Sequence, residues 1–225
     1  MSPAARVRAL KLTTFAAAGA PLVALTAAAL GGGLGANPVE TITHETGEWG
    51  LRLLLATLAV TPLRRLTGWQ LLGRVRRMLG LWSFFYVGVH FATYAVLDAG
   101  LDLGFIVEDI VKRPYITVGF ATLVMLVPLA VTSTDGAVRR LGGRRWRALH
   151  RLAYLAGVGG VVHFLWLVKA DLLEPLVYLV VLTGLLAARI PAVSSALGRW
   201  RATPARRPDQ GRARATLAPR GSEGV

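Results

Sequence analysis

The sequence predicts an all-α protein, a polytopic membrane helix bundle of about six transmembrane helices with both termini in the cytoplasm. Composition is the first observation behind this prediction: 54% of the 225 residues are hydrophobic and the mean hydropathy is positive, which is rare for a soluble domain of this length. The second is a series of uncharged runs that approach the roughly 17 to 25 residues of a membrane-spanning helix. The third is the confinement of arginine and lysine to short clusters between these runs.

Six segments approach or meet the length of a span. They cover residues 13–30, 49–63, 78–97, 115–131, 149–168 and 172–188. The second is short and carries Arg52 near its start, so we expect this side chain to extend outward to the membrane surface. The spans form one domain, residues 13–190. A cytoplasmic N-terminal arm (1–12) precedes it, and a basic tail (191–225) that we predict to be disordered follows it.

The loops alternate in charge, and basic loops stay on the cytoplasmic side of a membrane. The basic segments contain Arg6, Arg8 and Lys11, then Arg64, Arg65, Arg74, Arg76 and Arg77, then Arg139, Arg140, Arg144, Arg145 and Arg147. The other loops contain Glu40, Glu45 and Glu48, then Asp98, Asp102, Glu108 and Asp109 against Lys112 and Arg113, then Lys169 with Asp171 and Glu174. This alternation fits all six spans. The net charge of +14 therefore indicates topology and contact with lipid headgroups, and we expect no nucleic-acid partner.

The start of the chain allows an alternative interpretation. The basic arm and alanine-rich start also fit a cleaved secretory signal, but the apolar run is long for a signal core, and its removal would leave the other five helices unchanged.

The chain has no cysteine, which excludes disulfides, thiolate metal sites and iron–sulfur clusters. Any redox chemistry must therefore rest on histidine or on a flavin.

His90 and His163 are the histidines that lie well inside predicted spans, where ionisable residues are costly and are usually functional. His90 lies seven residues from the outer end of the third span, roughly 10 Å at 1.5 Å per residue. His163 lies five residues from the outer end of the fifth span. Two imidazoles at one depth on facing helices can supply both axial ligands of a haem. A structural role, with each ring satisfied by a carbonyl, is the alternative.

Four neighbours on the same helices are candidate contacts of the macrocycle. Gly159 and Gly160 lie one turn from His163 and would leave room for a porphyrin edge, although close helix packing explains them equally well. Tyr86 and Tyr94 lie four residues either side of His90 and could contact the ring or donate hydrogen bonds. Plain aromatic packing is the alternative for both.

His150 lies at the cytoplasmic mouth of the fifth span, thirteen residues before His163, which corresponds to about 20 Å of helix rise. The same level of the third span holds Arg76 and Arg77 instead of a histidine, and the remaining histidine, His44, is predicted in an outer loop. A second bis-histidine haem is therefore incomplete. The two arginines could pair with haem propionates or a flavin phosphate, or could simply reflect positive charge on the inner side.

The segments around these histidines contain a set of motifs at fixed spacings: Arg76-Arg77-Met78-Leu79-Gly80-Leu81, Phe84-Phe85-Tyr86, His90, Arg140-Leu141-Gly142, Trp146, Leu149-His150-Arg151, Tyr154 and His163. These motifs resemble the MsrQ (YedZ) family of the ferric reductase-like transmembrane group, and the likeness covers residues 46–190. The resemblance implies a multi-pass haem b protein of the bacterial inner membrane, with His90, His150 and His163 as haem-linked histidines. It also implies electron transfer to MsrP, a periplasmic molybdopterin enzyme that reduces methionine sulfoxide in oxidised envelope proteins. Quinol or a cytosolic flavin reductase would be the donor, and FMN binding is possible.

The predicted function is therefore that of an electron-transfer subunit, with methionine sulfoxide reduced on the partner. One alternative is a ferric or oxygen reductase, which would need a flavin and nicotinamide domain that the sequence after Ala188 does not contain. The other is a small transporter or assembly factor whose histidines are structural or relay protons.

Overall fold

A computed structural model describes residues 2–168, 170–190 and 193 of the chain. Within these residues all regular structure is helical, which confirms the predicted class. The α-helices are α1 (Pro3–Leu30), α2 (Pro38–Thr67), α3 (Arg76–Thr93), α4 (Leu103–Lys112), α5 (Pro114–Val131), α6 (Asp135–Leu149), α7 (Leu152–Leu167) and α8 (Leu173–Ala187). A 3₁₀ turn precedes α3 and a π-helical turn follows it. The predicted tail lies outside the described residues except at Val193.

The six predicted spans correspond to α1, α2, α3, α5, α7 and α8. By length and hydropathy alone, α1, α3 with its π turn, and α5 can each cross a membrane. The α6–α7 pair also passes this test but bends by 42°, and α8 is a shorter apolar helix. Side chains on the outer surface of α1 and α8 are largely exposed, as lipid-facing residues would be: Leu30 is 86% exposed and Val180 is 71% exposed. Residues 3–12, which were predicted as a cytoplasmic arm, form the first turns of α1.

The second helix is much longer than the predicted span, residues 49–63. It begins at Pro38, where the Asn37 side chain accepts a hydrogen bond from the Glu40 N–H, and proline is favoured in a first turn. It ends at Gly68, whose φ of 74° is the left-handed conformation that glycine adopts without strain. The prediction was too short because the outer third of α2 is polar.

Arg52 is not isolated on α2. Its guanidinium contacts Glu48 at 2.6 Å and Glu174 at 3.3 Å, and its Nε donates to the Tyr178 hydroxyl at 2.8 Å. This network joins α2 to α8, so the charge is satisfied within the protein.

Two helices lie in segments that were predicted as loops. The first, α4, begins where Asp102 accepts from the Phe105 N–H, and the second, α6, begins where Thr134 accepts from the Ala137 N–H. Both are amphipathic, and α6 is rich in arginine and changes direction at Gly142, where φ is 73°. A search for long apolar runs does not detect such helices.

The core lies between α2, α5, α7 and α8. Its buried apolar residues are Leu51, Leu54, Leu55, Leu58, Leu126, Leu129, Ala153, Ala156, Val161 and Leu182. The most extensive helix contacts are α2 with α3 and α5 with α7. The first pair approaches closely at Gly50, whose carbonyl accepts a 2.8 Å hydrogen bond from the buried Ser83 hydroxyl. A Cβ at Gly50 would lie 2.8 Å from Val87 Cγ2, so only glycine fits there.

The two ends of the bundle differ in charge, as predicted. Arg64, Arg76 and Arg189 come together at one end, which we call the arginine-rich end. Glu48 and Glu174 lie together at the opposite, acidic end. Arginines accumulate on the cytoplasmic side of membrane proteins, so this difference supports the predicted orientation.

Candidate cofactor site

A cavity of about 430 Å³ lies between α2, α3, α5 and α7, towards the acidic end. Cofactor pockets are usually about 300 to 1,000 Å³ and mostly apolar. Both predicted histidines line this cavity, together with apolar walls such as Leu51, Phe120 and Leu123. The structure therefore brings His90 and His163 together from two helices that are far apart in sequence.

The spacing of the two imidazoles matches that of a metal held between them. Their ring centroids lie 6.1 Å apart, with the ring planes 82° from parallel. An imidazole nitrogen lies about 2.0 to 2.1 Å from a metal, so with a ring radius of about 1.2 Å two axial ligands have centroids about 6.4 Å apart. The observed centroid separation is therefore close to the separation that a shared metal requires.

Each histidine is held through Nδ1 by a backbone carbonyl. His90 Nδ1 lies 2.8 Å from the Thr43 carbonyl oxygen on α2, and His163 Nδ1 lies 2.6 Å from the Tyr115 carbonyl oxygen on α5. A carbonyl oxygen only accepts, so Nδ1 must carry the hydrogen and the neutral ring keeps a lone pair on Nε2. Metal-ligating histidines are usually oriented in this way.

Two glycines that the sequence analysis missed make room for these rings. A Cβ at Gly47 would lie 2.9 Å from His90 Nδ1, and a Cβ at Gly119 would lie 2.7 Å from His163 Nδ1. Each glycine lies four residues, one helical turn, after the residue whose carbonyl accepts the imidazole hydrogen bond. The glycines therefore lie 43 (90 − 47) and 44 (163 − 119) residues before their histidines. This near-equal glycine-to-histidine spacing is the signal in the sequence that could have identified them.

The outer mouth of the cavity is polar. Tyr94 lines it, and its hydroxyl donates to Asp109 at 3.1 Å. Asp109 is buried and also accepts from Arg113 Nε at 3.1 Å, which holds that cation at the rim. His44 also lines the mouth. It lies on α2, so its assignment to a loop was wrong.

The two predicted glycines of α7 face different neighbours. Gly160 lines the cavity, and a Cβ there would lie 3.2 Å from Leu51 Cδ1. Gly159 faces α5 instead, where a Cβ would overlap the Thr122 hydroxyl. Helix packing therefore accounts for Gly159, and the structure does not bring it to the cavity.

Tyr86 is also directed away from the histidines. It is almost fully buried against α1, and its hydroxyl donates to the Ala18 carbonyl at 2.9 Å and accepts from the Leu22 N–H at 3.0 Å. Ala18 and Leu22 are an i, i+4 pair of α1 beside Pro21. The Tyr86 hydroxyl therefore bridges a carbonyl and an N–H group that lie one helical turn apart, next to the proline.

The predicted inner residues lie outside the cavity. His150 follows the last residue of α6 and precedes the start of α7, and its ring stacks on Trp146 with centroids 3.8 Å apart. Its Nε2 lies 3.0 Å from the Thr132 hydroxyl. Arg77 pairs with Asp135 at 2.7 Å, and Arg76 is half-buried at the start of α3. The structure therefore shows one histidine pair and, separately, a lone histidine near two arginines.

Comparison with known proteins places these features in a family. Residues 46–161 match the family described as "Ferric reductase like transmembrane component". The chain is 57% identical over 184 residues to the protein-methionine-sulfoxide reductase heme-binding subunit MsrQ of Rhodospirillum rubrum, covering 81% of this chain and 88% of that protein. It is 49% identical over 192 residues to the protein of the same name from Ralstonia nicotianae, covering 84% and 88%. No solved structure matches.

The matched region contains α3 and α5, most of α2 and the first part of α7, and hence most of the walls of the histidine cavity. The identities extend over most of the chain and well beyond that region. The protein therefore belongs to the ferric reductase-like transmembrane family and, within it, to the MsrQ family of membrane proteins.

Proposed function

We propose that this chain is a haem b-binding, electron-transfer subunit of a protein-methionine-sulfoxide reductase system in the bacterial inner membrane. The observation that carries the proposal is the histidine pair. Each ring is anchored at Nδ1 by a carbonyl, and the centroids lie 6.1 Å apart. The name of the relatives, which includes "heme-binding subunit", supports the same conclusion.

The chain's own residues would bind and orient the cofactor. His90 and His163 would ligate the iron through Nε2, and the Thr43 and Tyr115 carbonyls would fix the ring orientations. A bound haem carries one electron at a time on its iron. The apolar walls would exclude water, which sets the polarity around the iron and is one of the protein's controls over redox potential.

The cavity mouth offers one cation for the haem propionates. Arg113 lines it, and Asp109 holds the Arg113 guanidinium in place. Glu40 and Glu48 lie one turn either side of His44 on α2 and also line the cavity, where they would repel a carboxylate. We therefore expect the propionates to lie on the Arg113 side.

The position of the histidine pair in the bundle supports one direction of electron transfer. His90 lies one turn before the end of α3 and His163 one turn before the end of α7, both towards the acidic end. We propose that this end is periplasmic and delivers electrons to a molybdopterin reductase of the MsrP type, and that both termini are cytoplasmic. Quinol or a cytosolic flavin reductase would be the donor at the arginine-rich end, where FMN could also bind.

Spectra of histidine variants test the site. Purified His90→Ala and His163→Ala should each lose the low-spin haem b signal in reduced-minus-oxidised spectra, because each removes one axial ligand. His44→Ala is the matched control, since it removes an imidazole from the same cavity without removing a proposed ligand. Full retention of the low-spin signal in either ligand variant would overturn the assignment. Wild-type protein without any Soret band would favour a transporter or assembly factor.

Electron delivery is tested separately. The chain, reduced anaerobically, should be reoxidised by a periplasmic MsrP-type reductase only when methionine sulfoxide is present. Stopped-flow reduction by quinol, compared with reduction by a flavin reductase and NADH, identifies the donor. Equal reoxidation rates with and without the reductase would contradict the proposed partner, even if the haem assignment holds.

A further inference from the structure

The arginine-rich end contains cations without a protein counter-ion. Asp135 is the one carboxylate at this end among the described residues, and it pairs with Arg77. Arg64, Arg76 and Arg189 are all partly buried and make no ion pair within the described structure. Burying charges without a partner is costly, and three cations close together increase the cost. A bound anion would remove it.

The three side chains lie at the same end of the bundle, in the last turn of α2, at the start of α3 and just after α8. Arg189, just after α8, donates to the Leu58 carbonyl of α2 at 2.6 Å, and its guanidinium carbon lies 4.8 Å from the Tyr154 ring. Arg76 starts α3 within electrostatic range of both other arginines. Arg64 lies in the last turn of α2 and packs against Gly73.

The start of α3 adds a second attraction for an anion at the same place. Its first residue is Arg76, and no side chain caps its first N–H groups. Those N–H groups and the positive end of the helix dipole favour a negative ligand. Guanidinium groups and backbone N–H groups together are well suited to phosphate oxygens.

An apolar groove lies on the surface between α2 and α8, from Arg52 and Tyr178 towards the acidic end to Leu185, one turn before Arg189. It has a volume of about 310 Å³ and is lined by residues that include Leu55, Ala59, Val181 and Leu185. Arg189 donates to the Leu185 carbonyl at 2.7 Å. Because Leu185 lines the groove, the Arg189 guanidinium lies next to that end of it. An acyl chain in this groove would bring its own headgroup to the arginines.

We propose that Arg64, Arg76 and Arg189 bind the phosphate of an anionic phospholipid whose acyl chain lies in the groove between α2 and α8. The cationic cluster alone would suit any phosphate compound. The adjoining groove selects a lipid, because a soluble phosphate has no apolar chain to fill it. Basic pockets between helices on the cytoplasmic side are a common form of headgroup site.

Native mass spectrometry of the full chain, released from nanodiscs of phosphatidylcholine with phosphatidylglycerol, tests this site. Wild type should retain one phosphatidylglycerol per chain, and the Arg64→Gln/Arg189→Gln double variant should retain at least tenfold less. The control is Arg139→Gln/Arg140→Gln, which removes the same charge from exposed positions on α6 and should bind like wild type. An unchanged helical circular dichroism spectrum and a monodisperse elution profile show that each variant is folded.

The groove is tested by Ala59→Phe, which keeps every charge. The proposal predicts that this variant also loses the retained lipid. Equal retention by all variants would mean that the lipid is held only by general positive charge, which overturns the proposal. Displacement of the lipid by inorganic phosphate or FMN, with no effect of Ala59→Phe, would assign the cluster to a soluble phosphate compound instead. A lower haem content in the double variant would assign the arginines to haem propionates.

Discussion

Gly119→Ala tests how closely the protein positions His163. The added Cβ would lie 2.7 Å from Nδ1, whereas ordinary contacts begin near 3.4 Å, so the ring must move by the 0.7 Å between these values. The 2.6 Å hydrogen bond to the Tyr115 carbonyl opposes that movement. A metal–nitrogen bond of about 2 Å does not survive a displacement of this size. We therefore expect the loss of one axial ligand.

The expected loss in haem affinity follows from the free-energy cost of overpacking. An extra methyl group in a packed site costs about 1 to 3 kcal/mol, which corresponds to a loss of about 5- to 150-fold in haem affinity. Alanine is a better helix former than glycine by about 1 kcal/mol. A weaker α5 helix therefore cannot explain the loss.

The assay is haem content per chain together with the low-spin spectrum of the purified protein. Gly119→Ala should lower the content and shift the remaining haem towards a high-spin, five-coordinate spectrum. Gly88→Ala is the matched control, because it adds the same methyl group two residues from His90, where a Cβ meets nothing within 4 Å. Wild-type content and spectrum in Gly119→Ala would refute the argument that close approach to α5 fixes the ring.

Two further predictions concern residues outside the cavity. Tyr86→Phe removes the two hydrogen bonds of the hydroxyl to the Ala18 carbonyl and the Leu22 N–H, and should lower the free energy of unfolding by about 1 to 3 kcal/mol while the Soret band stays unchanged; an unchanged denaturation midpoint would contradict this. The hydrogen bond from Arg77 lowers the pKa of Asp135 below its ordinary 3.8, so this pair stabilises α6 fully above pH 3.8 and progressively less as the pH falls through the lowered pKa. Hydrogen exchange in residues 135–149, corrected for intrinsic rates, should therefore accelerate at low pH in wild type but not in Arg77→Gln.

The sequence predicted the helices that consist of long, uncharged apolar runs. The positions of α3, α5, α7 and α8 follow from uncharged runs bounded by charge. The polar start of α2 and the amphipathic helices α4 and α6 were missed because their stability depends on capping side chains and on an interface, not on a long apolar run.

The histidine pair was predictable because few ionisable side chains lie within apolar spans, and their depth could be counted from the loops. What holds them was not predictable, because Thr43 and Tyr115 contribute backbone carbonyls, which have no side-chain signature. The side of α3 that Tyr86 occupies depends on where α1 packs, and loop charges do not give that position.

The cavity lies on the seam between two helix pairs, α2 with α3 and α5 with α7. Each histidine is anchored inside its own pair, His90 by α2 and His163 by α5, while the rings meet across the seam. A metal bound by both imidazoles therefore joins the pairs, and an empty cavity of this size weakens their packing. Removal of haem should accelerate hydrogen exchange near His90 and His163 more than at the Ser83–Gly50 contact within the first pair. Equal acceleration at both places would mean that the cofactor stabilises the bundle as a whole and does not act at this seam.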